Sequence, residues 1–299
     1  SFWEPFHGSK VLNFSTALHA MTASIGIASH RVRYYQPPRE HAIDFGERLR
    51  GFFWLRRELD IPWSTIKALV EQADFESFHV HLVVDPGSPA PHLPSAADIE
   101  RLNITTSTWF ENKAELDRII DNANVYFAPR LGEGIGQSFL EALSRGQCVV
   151  AADEGTMIEY IISGLNGLLY DQRKPAALDF SGAAQLGRAG RHGAGLGYGS
   201  WLEAQDRLVD FILAPSEQLY RGKYHHRPAL QPLQAPPAPQ DAAPAGQPAG
   251  AEALAAASPR ARVSAFLRGI SRHWVFRATR PLWHPVLRLG RRLAATTRP

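Results

Sequence analysis

The sequence contains a single cysteine, Cys148, in 299 residues. One thiol cannot form an internal disulfide, which excludes a disulfide-stabilised scaffold and fits a reducing compartment. The sequence also lacks an apolar run of the length that crosses a bilayer, and no signal peptide is visible in it. We therefore expect a cytoplasmic location, with any membrane contact peripheral and at the inner face.

Acidic residues and lysines are absent from residues 260–299, a tail that contains ten arginines. The remaining 22 basic residues stand against 29 acidic ones, so the rest of the chain carries a net charge of −7. Apolar residues of the tail recur at helical spacing in two stripes, separated by Pro281, with arginines on the other side. This pattern is typical of a helix that lies in a membrane interface.

Nucleic-acid binding and an unstructured basic end are the alternative interpretations of the tail. Nothing else in the sequence resembles a nucleic-acid module, so we expect an anionic membrane surface as the partner of residues 260–299 and no nucleic acid. Residues 223–259 are dominated by Pro, Ala and Gln. Such a composition buries too little apolar surface to offset its ordering entropy, which predicts a disordered linker before the tail.

The most informative stretch runs from residue 124 to residue 153. It has the pattern of a strand, a glycine loop, a helix and a second strand, at residues 125–128, 132–136, 137–145 and 148–152. Glycines at alternate positions of the loop let the backbone turn tightly and let a ligand approach it closely. A loop of this kind before a helix N-terminus binds anions, because free N–H groups and the helix dipole point at the ligand.

Two acids distinguish this stretch from an ordinary phosphate site. Glu133 lies inside the glycine loop, and Glu141 lies one helical turn beyond Gln137, so we expect its side chain to lean back towards the loop. A carboxylate next to a phosphate is repulsive unless it has hydroxyls to bind. A nucleotide-linked sugar offers both groups, and the stretch therefore predicts a site for such a ligand.

Two other interpretations compete with this one. The acids could be solvated loop and helix side chains, the usual fate of glutamate. A dinucleotide-binding fold is the sharper rival, because Gly132-x-Gly134 follows a strand and Asp153 ends the next strand about 20 residues later. Against it, Gln137 occupies the place of the third glycine, and Glu133 would crowd a pyrophosphate.

The pair Glu133 and Glu141, with seven residues between them, resembles the E-x7-E motif of retaining glycosyltransferases of the GT-B fold, in the family called GT4. The surroundings are similar too. Residues 126–129 resemble the strand before the motif, and residues 146–151 resemble the strand after it, with Cys148 in the usual proline position. The likeness is specific over residues 124–171 and continues more weakly upstream to Gly51.

The resemblance implies a role for each matching residue. Glu133 would contact the hydroxyls of the transferred sugar, and Glu141 those of the ribose. The backbone N–H groups of Gly134, Ile135 and Gly136 would meet the sugar and the distal phosphate. No cofactor and no metal are implied, since the nucleotide sugar is the substrate.

Cationic side chains grip the donor diphosphate in the resembled family, after the first strand of the domain. Arg56 or Arg57 fits the arginine of that site and would act in catalysis by neutralising the leaving diphosphate. The lysine of that site has no clear counterpart, and Lys67 is the nearest candidate. Residues 103–105 resemble the short strand that carries base contacts, which makes Ile104 a further donor-binding candidate.

The predicted fold class is α/β. Residues 51–222 are expected to form a Rossmann-like, doubly wound parallel sheet, the donor-binding half of a GT-B enzyme. Residues 1–50 are too few for an ordinary acceptor domain and are interpreted as a remnant of it or a linker. Residues 182–199 are rich in glycine, which predicts a mobile loop.

The expected function is transfer of a sugar from a nucleotide-sugar donor to a hydroxyl of a glycan or lipid-linked acceptor, in cell-surface glycan synthesis. If the acceptor domain is absent, this chain should bind the donor but transfer the sugar poorly unless another chain supplies the acceptor side. A non-catalytic module that binds a nucleotide sugar, and an NAD(P)-dependent oxidoreductase domain, are the alternatives.

Overall fold

The computed structural model describes residues 2–85, 87–220, 258, 260, 261 and 263. The predicted linker at 223–259, apart from residue 258, therefore lies outside the described residues, as does most of the predicted tail. The domain boundaries stay predictions.

A small β–α–β unit opens the chain. A 3-10 turn at Glu4–Phe6 precedes strand β1 (Lys10–Asn13), helix α1 (Thr16–Ser24) and strand β2 (Ala28–Arg31), and the two strands pair in parallel. Inside the unit, the buried amide of Asn13 donates hydrogen bonds to Thr22 and Ser29. These bonds satisfy the N–H groups of the Asn13 amide, which would be costly to bury alone.

The larger sheet has six strands within the described residues, and all of them are parallel. Its strands are β3 (Leu49–Trp54), β4 (Phe75–His81), β5 (Ile104–Ser107), β6 (Val125–Phe127), β7 (Cys148–Ala152) and β8 (Leu168–Tyr170). Their order across the sheet is β5–β4–β3–β6–β7–β8, so the order reverses between β3 and β6. This confirms the predicted doubly wound α/β fold.

Helices cover both faces of the sheet. They are α2 (Trp63–Leu69), α3 (Ala96–Leu102), α4 (Lys113–Asn122), α5 (Gln137–Arg145), α6 (Ala183–Leu213) and α7 (Ser216–Tyr220). Alternate residues of β3 point to opposite faces, with Phe52 in the cluster that includes α4 and α5 residues and Phe53 in the cluster that includes α2 residues. Both faces are therefore buried, as a parallel sheet requires.

The glycine-rich segment at residues 182–199 is helical, so the predicted mobile loop is wrong. It forms the first half of α6, a helix of 31 residues. A Cβ on Gly187 would lie 2.2 Å from the carbonyl oxygen of Gly146, and one on Gly197 would lie 2.4 Å from the ring of Tyr35. Glycine is needed on this face because it lets the helix approach its neighbours closely, and a tertiary contact thus overrides a low helix propensity.

After β7 the chain forms a 3-10 turn, Met157–Glu159. The chain then turns sharply, because the side chain of Asn166 accepts a hydrogen bond from the N–H of Ile162 and donates one to the carbonyl of Tyr160. These local bonds compete with helical pairing.

Glu159, at the end of that turn, fixes the β–α–β unit to the larger sheet. Its carboxylate accepts hydrogen bonds from the backbone N–H and the hydroxyl of Thr16, in the first turn of α1. An acid at this helix end also complements the helix dipole. Arg33 adds a hydrogen bond to the Glu159 carbonyl and lies over the ring of Tyr160.

Within the described part of the chain, none of the helices has both the length and the apolar character that a membrane span needs.

Candidate functional site

The glycine loop follows β6, the strand between β3 and β7, and lies at the carboxyl ends of the strands as predicted. Gly136 is the N-cap of α5 with φ 69°, and a Cβ there would lie 1.9 Å from the ring of Phe139. Only glycine fits at this position. At Gly132 and Gly134 an added Cβ would meet no atom within 4 Å. The loop thus borders open space on the side where a ligand would approach.

The backbone N–H groups of the glycine loop are also available to a ligand. Among the described residues, none of the N–H groups of Gly134, Ile135 and Gly136 donates to a backbone carbonyl. The side chain of Ile135 packs against the core cluster and so contributes only its backbone to the site. These donors stand at a helix N-terminus, where an anion is favoured.

The loop after β7 holds the glycine loop in place. The buried side chain of Thr156 donates a hydrogen bond to the carbonyl of Glu133. Gly155 adopts φ 55°, and its Cβ position lies 3.5 Å from the carbonyl oxygen of Leu131. The Thr156 hydrogen bond fixes the Glu133 backbone and so limits the positions that its carboxylate can take.

Glu133 is a half-buried acid among cations. Burial raises the pKa of its carboxyl, and the raising is opposed mainly by Arg130 and then by Arg56. A carboxylate that is partly withdrawn from water but close to arginines is suited to binding sugar hydroxyls next to a phosphate group.

Three arginines converge on one acid beside Glu133. Asp85 accepts hydrogen bonds from Nε of Arg56, from Nε of Arg57 at 2.9 Å and from Nη2 of Arg130 at 2.7 Å. The four residues come from the loops after β3, β4 and β6, which are neighbours in the sheet. Although burial alone would raise the pKa of Asp85, the three arginines lower it below its usual range. The three guanidinium groups carry two charges more than Asp85, and the neighbouring carboxylates of Glu133 and Asp60 balance that excess.

The predicted cations Arg56 and Arg57 therefore lie at this site, whereas Lys67 does not. The Lys67 ammonium pairs at 2.8 Å with Asp98, whose side chain also belongs to the capping box of α3. Burial would raise the pKa of Asp98, but hydrogen bonds, that from Lys67 foremost, lower it to about 2. Lys67 lies in the last turn of α2 and thus joins α2 to α3.

Ile104 is also not brought to the site. It is the first residue of β5 and pairs in register with Phe78, while the carboxyl end of that strand is Ser107. Its side chain is buried in the core cluster on the α2 side of the sheet. A ligand at the carboxyl ends of the strands does not meet it, since ligands of open α/β sheets bind outside those ends.

Glu141 lies on α5, and its side chain was expected to lean back towards the glycine loop. Its carboxylate instead binds towards the C-terminal end of the helix. Its Oε2 lies 3.3 Å from Nη1 of Arg145, one turn further along the helix. Arg145 has a side chain only 2% exposed, and it also pairs with Asp121 at 2.8 Å and Asp117 at 2.9 Å. The second acid of the motif is thus anchored by a buried guanidinium from α5 and, through it, by α4.

Sequence reasoning missed three of these residues. Arg130 directly follows the strand–proline pair before the glycine loop, and its position at the end of a buried strand was an available signal. Thr156 and Arg145 carried no comparable signal, since their roles depend on contacts with distant segments. No group of three side chains that could ligate a metal occurs among the described residues.

Residues 96–179 match the family model described as "Glycosyl transferases group 1". This segment contains the glycine loop with both acids and the turn that fixes it. No curated protein sequence matches the chain.

Solved structures share the fold at low sequence identity. Sucrose-phosphate synthase from Thermosynechococcus elongatus is similar with a TM-score of 0.53 and 16% identity, over 68% of this chain and 58% of that protein. HepE from Anabaena, in complex with UDP, is similar with a TM-score of 0.50 and 15% identity, over 67% of this chain and 63% of that protein. This chain thus spans about six tenths of the length of these proteins. The family match relates residues 96–179 to glycosyltransferases, and the solved structures show that the fold is shared.

Proposed function

We propose that the chain binds a nucleotide-sugar donor at the glycine loop and transfers its sugar to a hydroxyl acceptor with retention of configuration, as GT4 enzymes do. One observation carries the proposal: Glu133 stands in a glycine loop at the N-terminus of α5, opposite a cluster of arginines. Anion-binding groups and a hydroxyl-binding acid together match a diphosphate joined to a sugar. The matching family model over this segment supports the same chemistry.

The division of labour proposed here combines the resemblance with the observed positions of these groups. The arginines neutralise the diphosphate, on which negative charge develops as the bond to the sugar breaks. The N–H groups of the loop hold the sugar and the distal phosphate, and Glu133 orients the sugar through its hydroxyls. Glu141, steadied by Arg145, receives the ribose hydroxyls. No metal is needed for charge neutralisation in this scheme.

The reaction class is tested by following donor breakdown by proton NMR across a panel of nucleotide sugars. UDP-sugars head the panel, because a protein of the same fold binds UDP. The proposal predicts slow hydrolysis of one donor, with the released sugar first appearing in the anomeric form of the donor, and no loss of rate in EDTA. Inverted product, or activity that EDTA abolishes, would contradict the retaining or the metal-free part.

Water is the expected acceptor in this test, because the described residues offer little of an acceptor side. Outside the larger sheet, the described strands are the two of the β–α–β unit. Glu159 holds that unit to the larger sheet through Thr16. We therefore expect the isolated chain to bind the donor but to transfer sugar slowly, since positioning of the acceptor supplies much of the rate. Rapid transfer to a soluble glycan by this chain alone would overturn that expectation.

The acceptor is proposed to be a glycan or lipid-linked molecule at the inner face of a membrane, in cell-surface glycan synthesis. Support comes from the arginine-rich residues 260–299, each well-placed arginine adding about 1 kcal/mol of attraction to anionic lipid. Of this tail, Arg260 pairs with Asp206 and Asp210 of α6, and Val263 packs on the core. Co-sedimentation with anionic vesicles at low salt, with and without residues 264–299, tests the claim. Recovery of the full chain in the supernatant would contradict it.

A further inference from the structure

We propose that Arg130 supplies the second cation for the donor diphosphate, in the place that Lys67 does not fill. The inference rests on the proposed function and goes beyond it by naming a residue to which the E-x7-E resemblance assigns no role. Lys67 is committed to Asp98 at 2.8 Å. Arg130 instead donates to the same carboxylate as Arg56 and Arg57. It does so from the loop after β6, the strand that pairs with β3.

Asp85 organises the three guanidinium groups without exhausting their donors. It engages the inner nitrogen, Nε, of Arg56 and of Arg57, and only one terminal nitrogen of Arg130. The bond from Arg56 to Asp85 uses only Nε, and the Arg56 guanidinium lies over the ring of Trp54. Nε of Arg130 is buried without a hydrogen-bond partner among the described residues. The acid thus fixes the arginines while further N–H groups of their guanidiniums are left for a second anion.

Guanidinium geometry and position determine which anion fits. The three guanidinium groups face three carboxylates, those of Asp85, Glu133 and Asp60, the last of which pairs with Arg57 at 3.2 Å. Arg130 is three residues before Glu133, so a phosphate held by it lies next to the sugar-binding loop. Guanidinium groups bind phosphate oxygens in pairs, and several of them from neighbouring loops suit the two phosphates of a diphosphate better than a single phosphate.

Calorimetry of the full chain with inorganic pyrophosphate tests the assignment without knowledge of the base or sugar. Arg130→Met keeps most of the side-chain stem and removes the cation, and it should weaken pyrophosphate binding about tenfold or more. Arg130→Lys restores the charge but not the paired N–H groups of the guanidinium, and it should recover part of the affinity. Arg118→Met serves as the matched control, because that arginine is exposed on α4 and bonds only to its own helix.

A second measurement uses the unaltered chain, in case Arg130→Met does not fold. Phenylglyoxal modifies accessible arginines, and mass spectrometry locates the adducts. Pyrophosphate should protect Arg130 together with Arg56 and leave Arg118 reactive. Equal affinity of Arg130→Met and the unaltered chain, or equal modification of Arg130 with and without pyrophosphate, would overturn the assignment.

The nucleotide-sugar panel keeps this inference separate from the proposed function. If a nucleotide sugar binds and Arg130→Met binds it equally well, the role of Arg130 is wrong and the function stands. If pyrophosphate binds through Arg130 but no nucleotide sugar binds, the anion site stands and the proposed function is wrong.

Discussion

Arg145 and Glu141 form an ion pair inside α5, with 3.3 Å between Nη1 and Oε2. The side chain of Arg145 is 2% exposed. Glu141 lies on α5, the helix that begins at the glycine loop of the candidate site. Two further acids, Asp117 and Asp121, bind the same guanidinium from α4. A structural arginine and a proposed ligand-binding acid are therefore parts of one network, and two predictions separate their roles.

The first prediction concerns stability. Arg145→Met fills a similar volume but leaves three carboxylates without their shared cation, so the free energy of unfolding should fall by about 3 kcal/mol. Chemical denaturation at pH 7 measures it. Arg118→Met, on the exposed side of α4, should change the same quantity by less than about 0.5 kcal/mol. A loss for Arg145→Met no larger than this control would show that the network contributes little.

The second prediction concerns the ribose. Glu141→Ala should weaken binding of the donor by about 1–3 kcal/mol, because hydroxyls of the ligand lose their acceptor. Asp121→Asn removes another partner of Arg145, half-exposed on α4, and so matches the structural part of the change. It should leave donor affinity within about twofold. If both variants weaken the donor equally, Glu141 acts through the network and not on the ribose.

A third prediction follows from the raised pKa of Glu133. When the folded-state pKa of an acid exceeds the unfolded value, its stabilisation is present below the unfolded pKa and is lost as the pH rises through the folded one. At pH 7 the ionised carboxylate thus costs stability. Glu133→Gln should raise the free energy of unfolding at pH 7, and the difference from the unaltered chain should vanish towards pH 4. Donor breakdown should fall sharply in the same variant.

Urea denaturation at the two pH values measures this gain, and Glu154→Gln is the control, since Glu154 is an exposed acid in the loop after β7. That control should change stability by less than about 0.5 kcal/mol at either pH. A Glu133→Gln variant less stable than the unaltered chain at pH 7 would show that its arginine neighbours outweigh burial.

The fourth prediction concerns the glycines of α6. Gly187→Ala would place a methyl group 2.2 Å from a backbone oxygen of Gly146, which cannot move aside, so the variant should lose about 1–3 kcal/mol. Gly193→Ala, in the same helix, meets no atom within 4 Å and should gain up to about 1 kcal/mol from helix propensity. Thermal unfolding compares them. A gain in both would mean that α6 does not pack as closely as described.

The fold was largely predictable from sequence because its strands are short apolar runs with clear stops. Helix α5 and strand β7 have the predicted bounds, and Val125–Phe127 lies within the sheet as expected. The prediction was wrong at residues 182–199, where glycines serve close packing of a helix. A local pattern cannot reveal this, since the reason lies in Gly146 and Tyr35, far away in sequence.

The site was predictable in part, because part of it is a local pattern in the sequence. The glycine loop and its acids form one continuous motif, so their place at the carboxyl edge follows from the fold. The charge pairing does not follow, because Arg130 meets Asp85 from 45 residues away. Lys67 illustrates the reverse case: the resemblance made it the nearest candidate for a ligand-binding cation, but Asp98 from α3 binds it.

Calorimetry with nucleoside diphosphate sugars tests the central claim, that the loop carrying Glu133 holds a nucleotide sugar, most directly. The full chain is titrated with UDP-, GDP-, ADP- and TDP-sugars and with NAD. We predict that one nucleotide sugar binds, that its nucleoside diphosphate binds as well, and that Glu133→Gln weakens the sugar-bearing ligand more than the diphosphate. Binding of NAD alone, or of no nucleotide sugar in the panel, would contradict the account.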